Sequence, residues 1–233
     1  MADAGVPHRT TTTAHTLSVL MFHILQNPGI LNKVQRELGS MMSEPDSQPR
    51  WSELEQLPYL TACIQEALRW GYGVSHRLQR RSPDIALQYR NWTIPANTPV
   101  GMTSVMLHDD PSIFPKPRSF QPERWLQPST TQLRKYLVTF SKGSRQCLGL
   151  KYVTRLWTES YPPSSDDENR PLIECPNHSL AYWELYLTLA AIFAPSRFRF
   201  ELYETDVTDV DIAHDFFNPC YKAESKGMRV VVH

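Results

Sequence analysis

The sequence predicts a mainly α-helical, α+β domain in which helices come first and small β-sheets follow. Apolar residues recur at spacings of three and four over most of residues 17–70, which is the period of an amphipathic helix. Between residues 85 and 106 the period changes to two, as expected for short strands. A further apolar segment with helical spacing, residues 180–193, precedes a strand-like tail.

The first helices are delimited by proline and glycine. One helix stops at Asn27-Pro28, and its apolar face comprises Leu17, Leu20, Met21, Ile24 and Leu25. The next ends at Gly39, and its apolar face comprises Ile30, Leu31, Val34 and Leu38. After the polar loop SEPDSQPR, residues 51–70 predict a helix that is interrupted near Pro58, because proline lacks the amide hydrogen.

The second half of the chain is less regular. Residues 85–95 and 98–106 predict strands, whereas five of the 19 prolines fall between Asp109 and Pro128 and predict an irregular loop. The segment SLAYWELYLTLAAIF predicts a helix with one face formed by Leu180, Trp183, Leu187 and Ala191. The segments FRFELYE and MRVVVH predict a final hairpin.

The composition is that of an ordinary globular protein. The 24 Lys and Arg balance the 24 Asp and Glu, and 41% of the residues are apolar, which argues against a disordered chain or a nucleic-acid partner. No segment approaches the roughly 20 apolar residues of a membrane-spanning helix, and residues 1–9 lack the apolar run of a secretory signal. None of the four cysteines belongs to a CxxC pair, so a disulfide framework or a zinc ribbon is not expected. One cysteine can still act as a single ligand.

Three motifs in a fixed order point to a function. Glu66 and Arg69 are three residues apart on one predicted helix, so their side chains share a face. The proline-rich loop carries the sequence PERW at residues 122–125, and FSKGSRQCLG follows at residues 140–149 with Cys147 between two glycines. Taken alone, the Glu66–Arg69 motif would be interpreted as an ordinary surface ion pair, and Cys147 would be interpreted as an inert buried thiol. The order and spacing of the three motifs together form a specific signature.

With these motifs the chain resembles the cytochrome P-450 family, whose signatures are an ExxR helix, a PERF-like loop and an FxxGxRxCxG loop. The resemblance covers residues 10–151 and 180–232, and it is greatest to microsomal oxygenases of fungal secondary metabolism. Family members are about twice as long, so the fold implied is the C-terminal half of a P-450: helices, small sheets and a cysteine loop that binds haem.

The resemblance implies a role for each residue of the cysteine loop. Cys147 is the axial thiolate ligand of the iron of haem b (iron protoporphyrin IX), which directs bound dioxygen toward O–O cleavage. Gly143 and Gly149 let the backbone approach the porphyrin, and Phe140 covers the thiolate side. Arg145 and Arg80 are candidates to pair with the haem propionates, and His108 is a further candidate.

Other residues are assigned supporting roles by the same resemblance. Glu66, Arg69 and Arg124 form a buried ion network that holds the proline-rich loop. Thr12 matches the threonine that relays protons to oxygen, but Thr11 occupies the position of the family's acid, and a hydroxyl does not replace a carboxylate there.

We divide the chain into residues 1–9, an atypical leader; residues 10–151, from the central helix to the cysteine loop; residues 152–179, an insertion; and residues 180–233, the last helix and the hairpin. The insertion is polar, and removing it restores the family spacing. Lys151-Tyr152-Val153 can be encoded AAG-TAT-GTN, which contains the fungal splice donor GTATGT, and His178-Ser179 can be encoded CAT-AGC, which contains an acceptor. A retained intron is therefore one explanation, and a tolerated surface loop is the other.

The function implied is monooxygenation of a small organic substrate, with electrons from an NADPH-cytochrome P-450 reductase. The alternative is an inactive P-450 fragment or pseudogene product without haem-dependent activity. The parent family is located at the endoplasmic reticulum membrane, whereas this chain shows no anchoring segment, which leaves its location cytoplasmic or undetermined.

Overall fold

A computed structural model describes residues 8–42, 49–149, 180–195 and 198–233 of this protein. The α-helices in these ranges are α1 (His8–Gln26), α2 (Pro28–Met41), α3 (Trp51–Leu54), α4 (Pro58–Trp70), α5 (Ser104–His108), α6 (Thr130–Arg134) and α7 (Leu180–Phe193). Short 3-10 turns occur at Pro122–Leu126, Gly143–Arg145 and Val207–Asp209. The predicted insertion, residues 152–179, lies outside the described residues.

Asn27-Pro28 both ends α1 and starts α2. The Asn27 carboxamide oxygen accepts hydrogen bonds from the amides of Gly29 and Ile30, at 3.0 and 3.3 Å, and Pro28 occupies the first turn, where no amide hydrogen is needed. Helix α1 begins at His8, so His8 and Arg9, which we had assigned to the leader, belong to the helix. Residues 1–7 lie outside the described residues.

Helix α4 is the centre of the core. Its N-terminus is capped by another helix, because the carboxylate of Glu37 on α2 accepts hydrogen bonds from the amides of Tyr59 and Leu60 at 2.9–3.0 Å. The interruption predicted at Pro58 is confirmed, since α3 ends at Leu54 and α4 starts at the proline. Helices α1, α2 and α7 all pack against α4.

The buried face of α7 differs from the predicted one. Trp183, which belongs to the apolar face that the spacing predicts, is 42% exposed. The side chains that are buried are Tyr182, Leu185, Tyr186, Leu189, Ala190 and Phe193. The prediction was wrong because apolar residues occur on nearly every side of this helix, so their spacing does not single out one face.

The strands form separate two-stranded antiparallel sheets. The strands are β1 (Leu78–Arg80), β2 (Leu87–Tyr89), β3 (Trp92–Ile94), β4 (Val100–Met102), β5 (Phe200–Leu202), β6 (His214–Phe216), β7 (Asn218–Cys220) and β8 (Val230–Val232). The pairs are β1 with β4, β2 with β3, β5 with β8, and β6 with β7. The two tail segments therefore pair as predicted, with a second hairpin between them.

One predicted strand is shorter than expected. Strand β4 ends at Met102, and residues 104–106, which we had included in it, belong to α5. The Thr103 hydroxyl accepts a hydrogen bond from the amide of Val105 at 3.2 Å, so it caps a helix at this point. Strand β1 was not predicted. None of the helices in the described ranges is long and apolar enough to cross a membrane.

Candidate functional site

Glu66 and Arg69 form a two-point ion pair inside the protein. Arg69 Nε donates to Glu66 Oε2 at 3.0 Å, and Arg69 Nη2 donates to Glu66 Oε1 at 2.9 Å. Both side chains have no solvent exposure. The helical spacing predicts that these residues meet, but only the packing around α4 makes the pair a buried one.

The 3-10 turn at Pro122–Leu126 completes the bonding of the Glu66 carboxylate. Arg124 Nε donates to Oε1 at 3.1 Å, Trp125 Nε1 donates to Oε2 at 2.8 Å, and the amide of Gln121 donates to Oε1 at 3.0 Å. The acid thus accepts five hydrogen bonds and faces two guanidinium groups. We had not assigned Trp125 a role; the available signal was that a buried indole N–H needs an acceptor.

The two arginines also hold the proline-rich loop. Arg69 donates to the carbonyl oxygens of His108 at 3.0 Å and Pro117 at 2.7 Å, and Arg124 donates to that of Pro115 at 3.1 Å. An irregular, proline-rich backbone leaves carbonyls without amide partners, and guanidinium groups supply the missing donors. Burial lowers the pKa of Arg124 below its ordinary value; the charge of Glu66 opposes this effect and that of Arg69 adds to it.

The segment before the cysteine loop is attached to the C-terminal end of α4. Thr139 Oγ1 donates to the carbonyl of Leu68 at 2.7 Å. His108 is fully buried; its Nδ1 lies 2.9 Å from the carbonyl oxygen of Arg69, and its Nε2 accepts the amide of Val138 at 3.1 Å. Since both ring nitrogens contact the backbone, His108 has none left for a haem propionate, and our assignment of that role was wrong.

Gly73 allows this close attachment. Its φ is +69°, and a Cβ added there would lie 2.8 Å from Thr139 Cγ2. Both the left-handed backbone and the contact require glycine.

The cysteine loop itself is a short turn with its thiol exposed. Residues 143–145 form a 3-10 turn, and the amide of Cys147 donates to the carbonyl of Phe140 at 2.8 Å. Cys147 is exposed, as are Arg145 and Leu148 beside it, and the ring of Phe140 packs against Tyr182 on α7 with their centroids 5.7 Å apart.

The two glycines of the loop differ. Gly143 has a φ of +77°, and no atom lies within 4 Å of the Cβ that it lacks. Gly149 is not among the residues with positive φ, and a Cβ added there would meet Cys147 Sγ at 3.5 Å, an ordinary van der Waals distance. The left-handed backbone of the turn therefore requires glycine at position 143 but not at position 149, and the approach of both glycines to a porphyrin stays a prediction.

The remaining predicted residues lie apart from this turn or at its edge. Arg80 on β1 donates to the hydroxyl of Ser141 at 3.2 Å, so one of the two arginine candidates contacts the cysteine loop. Thr12 is half-buried on α1, and its carbonyl accepts the hydroxyl of Thr16 at 3.0 Å. No hydrogen bond between described residues joins Thr12 to the cysteine loop.

Comparison with protein families matches residues 10–152 to a family described as Cytochrome P-450. The chain belongs to the cytochrome P-450 family. The ExxR pair on α4, the PERW turn and the cysteine loop all lie in the matched range, and the match ends where the predicted insertion begins.

Several curated relatives of this chain are P-450 proteins from fungi. The chain is 41% identical to the monooxygenase oblB of Aspergillus clavatus and 40% identical to tryptophan 6-hydroxylase fscE of Fusarium equiseti, over 95% and 96% of its own length. It is 38% identical to fusicoccadiene C-8 hydroxylase of Phomopsis amygdali over 96% of its length. It spans only 38%, 38% and 37% of those three relatives.

The residues of the P-450 cysteine loop fit a haem. A thiolate-bound haem needs a cysteine on an open turn, space against the backbone and an apolar surface beside the thiol. Cys147 is exposed, Gly143 leaves open space where a side chain would be, and Leu148 is 70% exposed. No three His, Cys, Asp or Glu side chains within the described ranges form a separate metal site.

Proposed function

We propose that this chain carries the thiolate side of a P-450 haem site, with Cys147 as the axial ligand of haem b, and that the activity it serves is hydroxylation of a small organic molecule. The observation that carries the proposal is the exposed thiol of Cys147. The residues just before its turn are held by hydrogen bonds from Thr139 to the carbonyl of Leu68 on the ExxR helix and from Val138 to His108. Relatives named as hydroxylases in fungi support the reaction class.

When bound, haem b supplies the activation of dioxygen, of which one atom enters the substrate while the other is reduced to water with electrons from an NADPH-dependent reductase. Cys147 would hold the iron as a thiolate. Arg145 and Arg80 would bind the propionates through charge-assisted hydrogen bonds, and Arg80 already donates a hydrogen bond to the Ser141 hydroxyl of the cysteine loop. Phe140, which packs on Tyr182, would shield the thiolate from water once the haem is bound.

The ion network acts through position. Glu66, Arg69 and Arg124 contact no part of the cysteine turn by a described hydrogen bond; they fix the proline-rich loop and the end of α4 on which the turn rests. Thr12 would hold or relay a proton at its hydroxyl. Thr11 beside it lacks a carboxylate, so proton delivery depends on Thr12 and solvent.

The test is the carbon monoxide difference spectrum of the reduced full chain after addition of hemin. We expect the red-shifted Soret band of a thiolate-bound haem, and we expect Cys147→Ser to abolish it. Cys220→Ser, the same change at a half-buried position on β7, is the matched control and should leave the band unchanged. A band that survives Cys147→Ser contradicts the proposal.

A second candidate is a P-450 chain without haem-dependent turnover. The observation that favours it is Thr11 in the position of the family's acid. NADPH consumption by the reconstituted chain with a reductase distinguishes the two: a thiolate spectrum without NADPH consumption supports the second candidate.

A further inference from the structure

The C-terminal turn of α4 has carbonyl groups that no residue of the helix satisfies. An α-helix leaves its last four carbonyls without an intrahelical partner. In α4 the carbonyl of Ala67 accepts the amide of Gly71 at 2.8 Å. The next two carbonyls are satisfied from elsewhere, Leu68 by the Thr139 hydroxyl at 2.7 Å and Arg69 by the ring of His108 at 2.9 Å. Both partners connect the helix to the segment that leads to Cys147.

The contacts of His108 determine which ring nitrogen carries the proton. A backbone amide is only a donor, so the Val138 amide at 3.1 Å requires His108 Nε2 to be unprotonated. The neutral ring then carries its hydrogen on Nδ1, where it donates to the Arg69 carbonyl. The ring is held in this orientation by Tyr72, stacked at 6.0 Å, and by Phe114, edge-on at 6.0 Å.

The surroundings keep this ring neutral. The pKa of His108 is lowered to about 4, chiefly by burial; the backbone hydrogen bonds to Arg69 and Tyr136 oppose this shift, and the charge of Arg69 adds to it. The ring is therefore uncharged at neutral pH, and Nε2 is free to accept.

A short path of hydrogen bonds joins His108 to the thiol-bearing residue. The amide of Ser141 donates to the carbonyl of Val138 at 2.7 Å, and the amide of Cys147 donates to the carbonyl of Phe140 at 2.8 Å. These two backbone hydrogen bonds couple the position of Val138 to the position of Cys147.

We propose that His108 is a positioning residue: as its Nδ1–H tautomer it bridges the Arg69 carbonyl and the Val138 amide and thereby sets the position of Cys147. Its relevance to catalysis rests on the proposed function of Cys147, whereas the bridge itself is a property of the protein without haem. The role differs from that of the ion network, because His108 directly contacts Val138 in the segment that precedes the cysteine loop.

Two carboxamide variants separate the two halves of the bridge. Gln places a carboxamide oxygen near the position of Nε2 and retains an acceptor for the Val138 amide. Asn places its NH₂ near the position of Nδ1 and retains only the donor to Arg69. In the full chain without haem, we expect His108→Asn to speed amide hydrogen exchange at Val138 and Cys147 about tenfold, the effect of losing one hydrogen bond of typical strength. We expect His108→Gln to speed exchange less, because it keeps the acceptor for the Val138 amide and loses only the bond to the Arg69 carbonyl. Equal exchange rates at Val138 in the two variants overturn the proposal, because only His108→Gln retains an acceptor for the Val138 amide.

The tautomer provides a test without any substitution. Nitrogen-15 NMR of the wild-type chain should show His108 protonated at Nδ1 only. Protonation at Nε2, with donation to the Tyr136 carbonyl, overturns the proposal even if both variants fold poorly.

The effect of His108 on haem binding is measured in a separate experiment. We expect hemin to leave His108→Asn about tenfold faster than His108→Gln. If the wild-type chain gives no thiolate spectrum, the proposed function fails, while the exchange and NMR results still decide whether His108 positions the loop.

Discussion

Glu66 accepts a 2.8 Å hydrogen bond from the indole of Trp125, 59 residues later in the chain, and both side chains are buried. The same carboxylate neutralises Arg69 and Arg124. Glu66 thus joins α4 to the proline-rich loop both by ion pairs and by a hydrogen bond from a neutral group. Substitutions can measure these two contributions to stability separately.

We predict that Glu66→Gln lowers the free energy of unfolding by about 3–5 kcal/mol, because it leaves two buried guanidinium groups without a counter-charge. Trp125→Phe removes one hydrogen bond and should cost roughly 1–3 kcal/mol. Urea unfolding of the full chain measures both. The control is Lys33→Gln at the half-exposed Lys33–Glu123 pair, for which we expect less than about 1 kcal/mol. An effect of Glu66→Gln no larger than this control would show that the network is not a stabilising junction.

Gly73 and Gly143 form a matched pair for a second prediction. Both have positive φ, but only Gly73 faces another side chain, Thr139 Cγ2, at 2.8 Å from the position of a Cβ. We expect Gly143→Ala to cost roughly 1 kcal/mol from backbone strain alone, and Gly73→Ala to cost more. Thr139→Ser, which removes Cγ2 and retains the hydroxyl, should recover part of the loss in a double-mutant cycle. Equal costs for the two alanine variants would contradict the close contact.

His23 predicts a dependence of stability on pH. Its ring is buried on α1, stacked on Phe120 at 4.4 Å, and its Nε2 has no hydrogen-bond partner among the described residues. Burial, with a smaller contribution from the charge of Arg69, lowers its pKa to about 4. Because the unfolded chain binds the proton more readily, the stability contributed by the neutral ring is complete above pH 6.5 and is lost as the pH falls toward about 4.

We therefore expect His23→Phe to raise the free energy of unfolding at pH 5 more than at pH 8 and to flatten the dependence between these values. The largest contribution from this group is about 3 kcal/mol. His214→Gln, at an exposed position on β6, is the control and should leave the pH dependence unchanged. A variant that loses stability in parallel with the wild type down to pH 4 would rule out His23 as the source.

The segment 152–179 leads to a prediction at the level of the transcript. If it is a retained intron, sequencing of mature messages across the junction will find a form that lacks it and encodes Asn between Leu150 and Leu180. The end of the family match at residue 152 supports this expectation. Retention of those codons in every mature transcript would favour a tolerated surface loop.

The local parts of the fold were predictable from the sequence. Apolar spacing and proline placement predict α1, α2 and the break before α4, because these depend on neighbours within one or two turns of the chain. The strand expected to reach residue 106 was wrong because a single capping threonine, Thr103, starts a helix within an alternating pattern. The face of α7 was wrong because an apolar helix takes its orientation from its partners.

The motifs around Glu66, Arg69, Arg124 and Cys147 identify the family by residue type and spacing alone, which the sequence itself determines. Only the tertiary structure decided that Trp125 completes the bonding of Glu66 and that His108 bridges Arg69 and Val138. Those contacts join residues 30 to 59 positions apart across a proline-rich loop without any period. Their partners are set by which buried donors and acceptors remain unsatisfied once the core has packed.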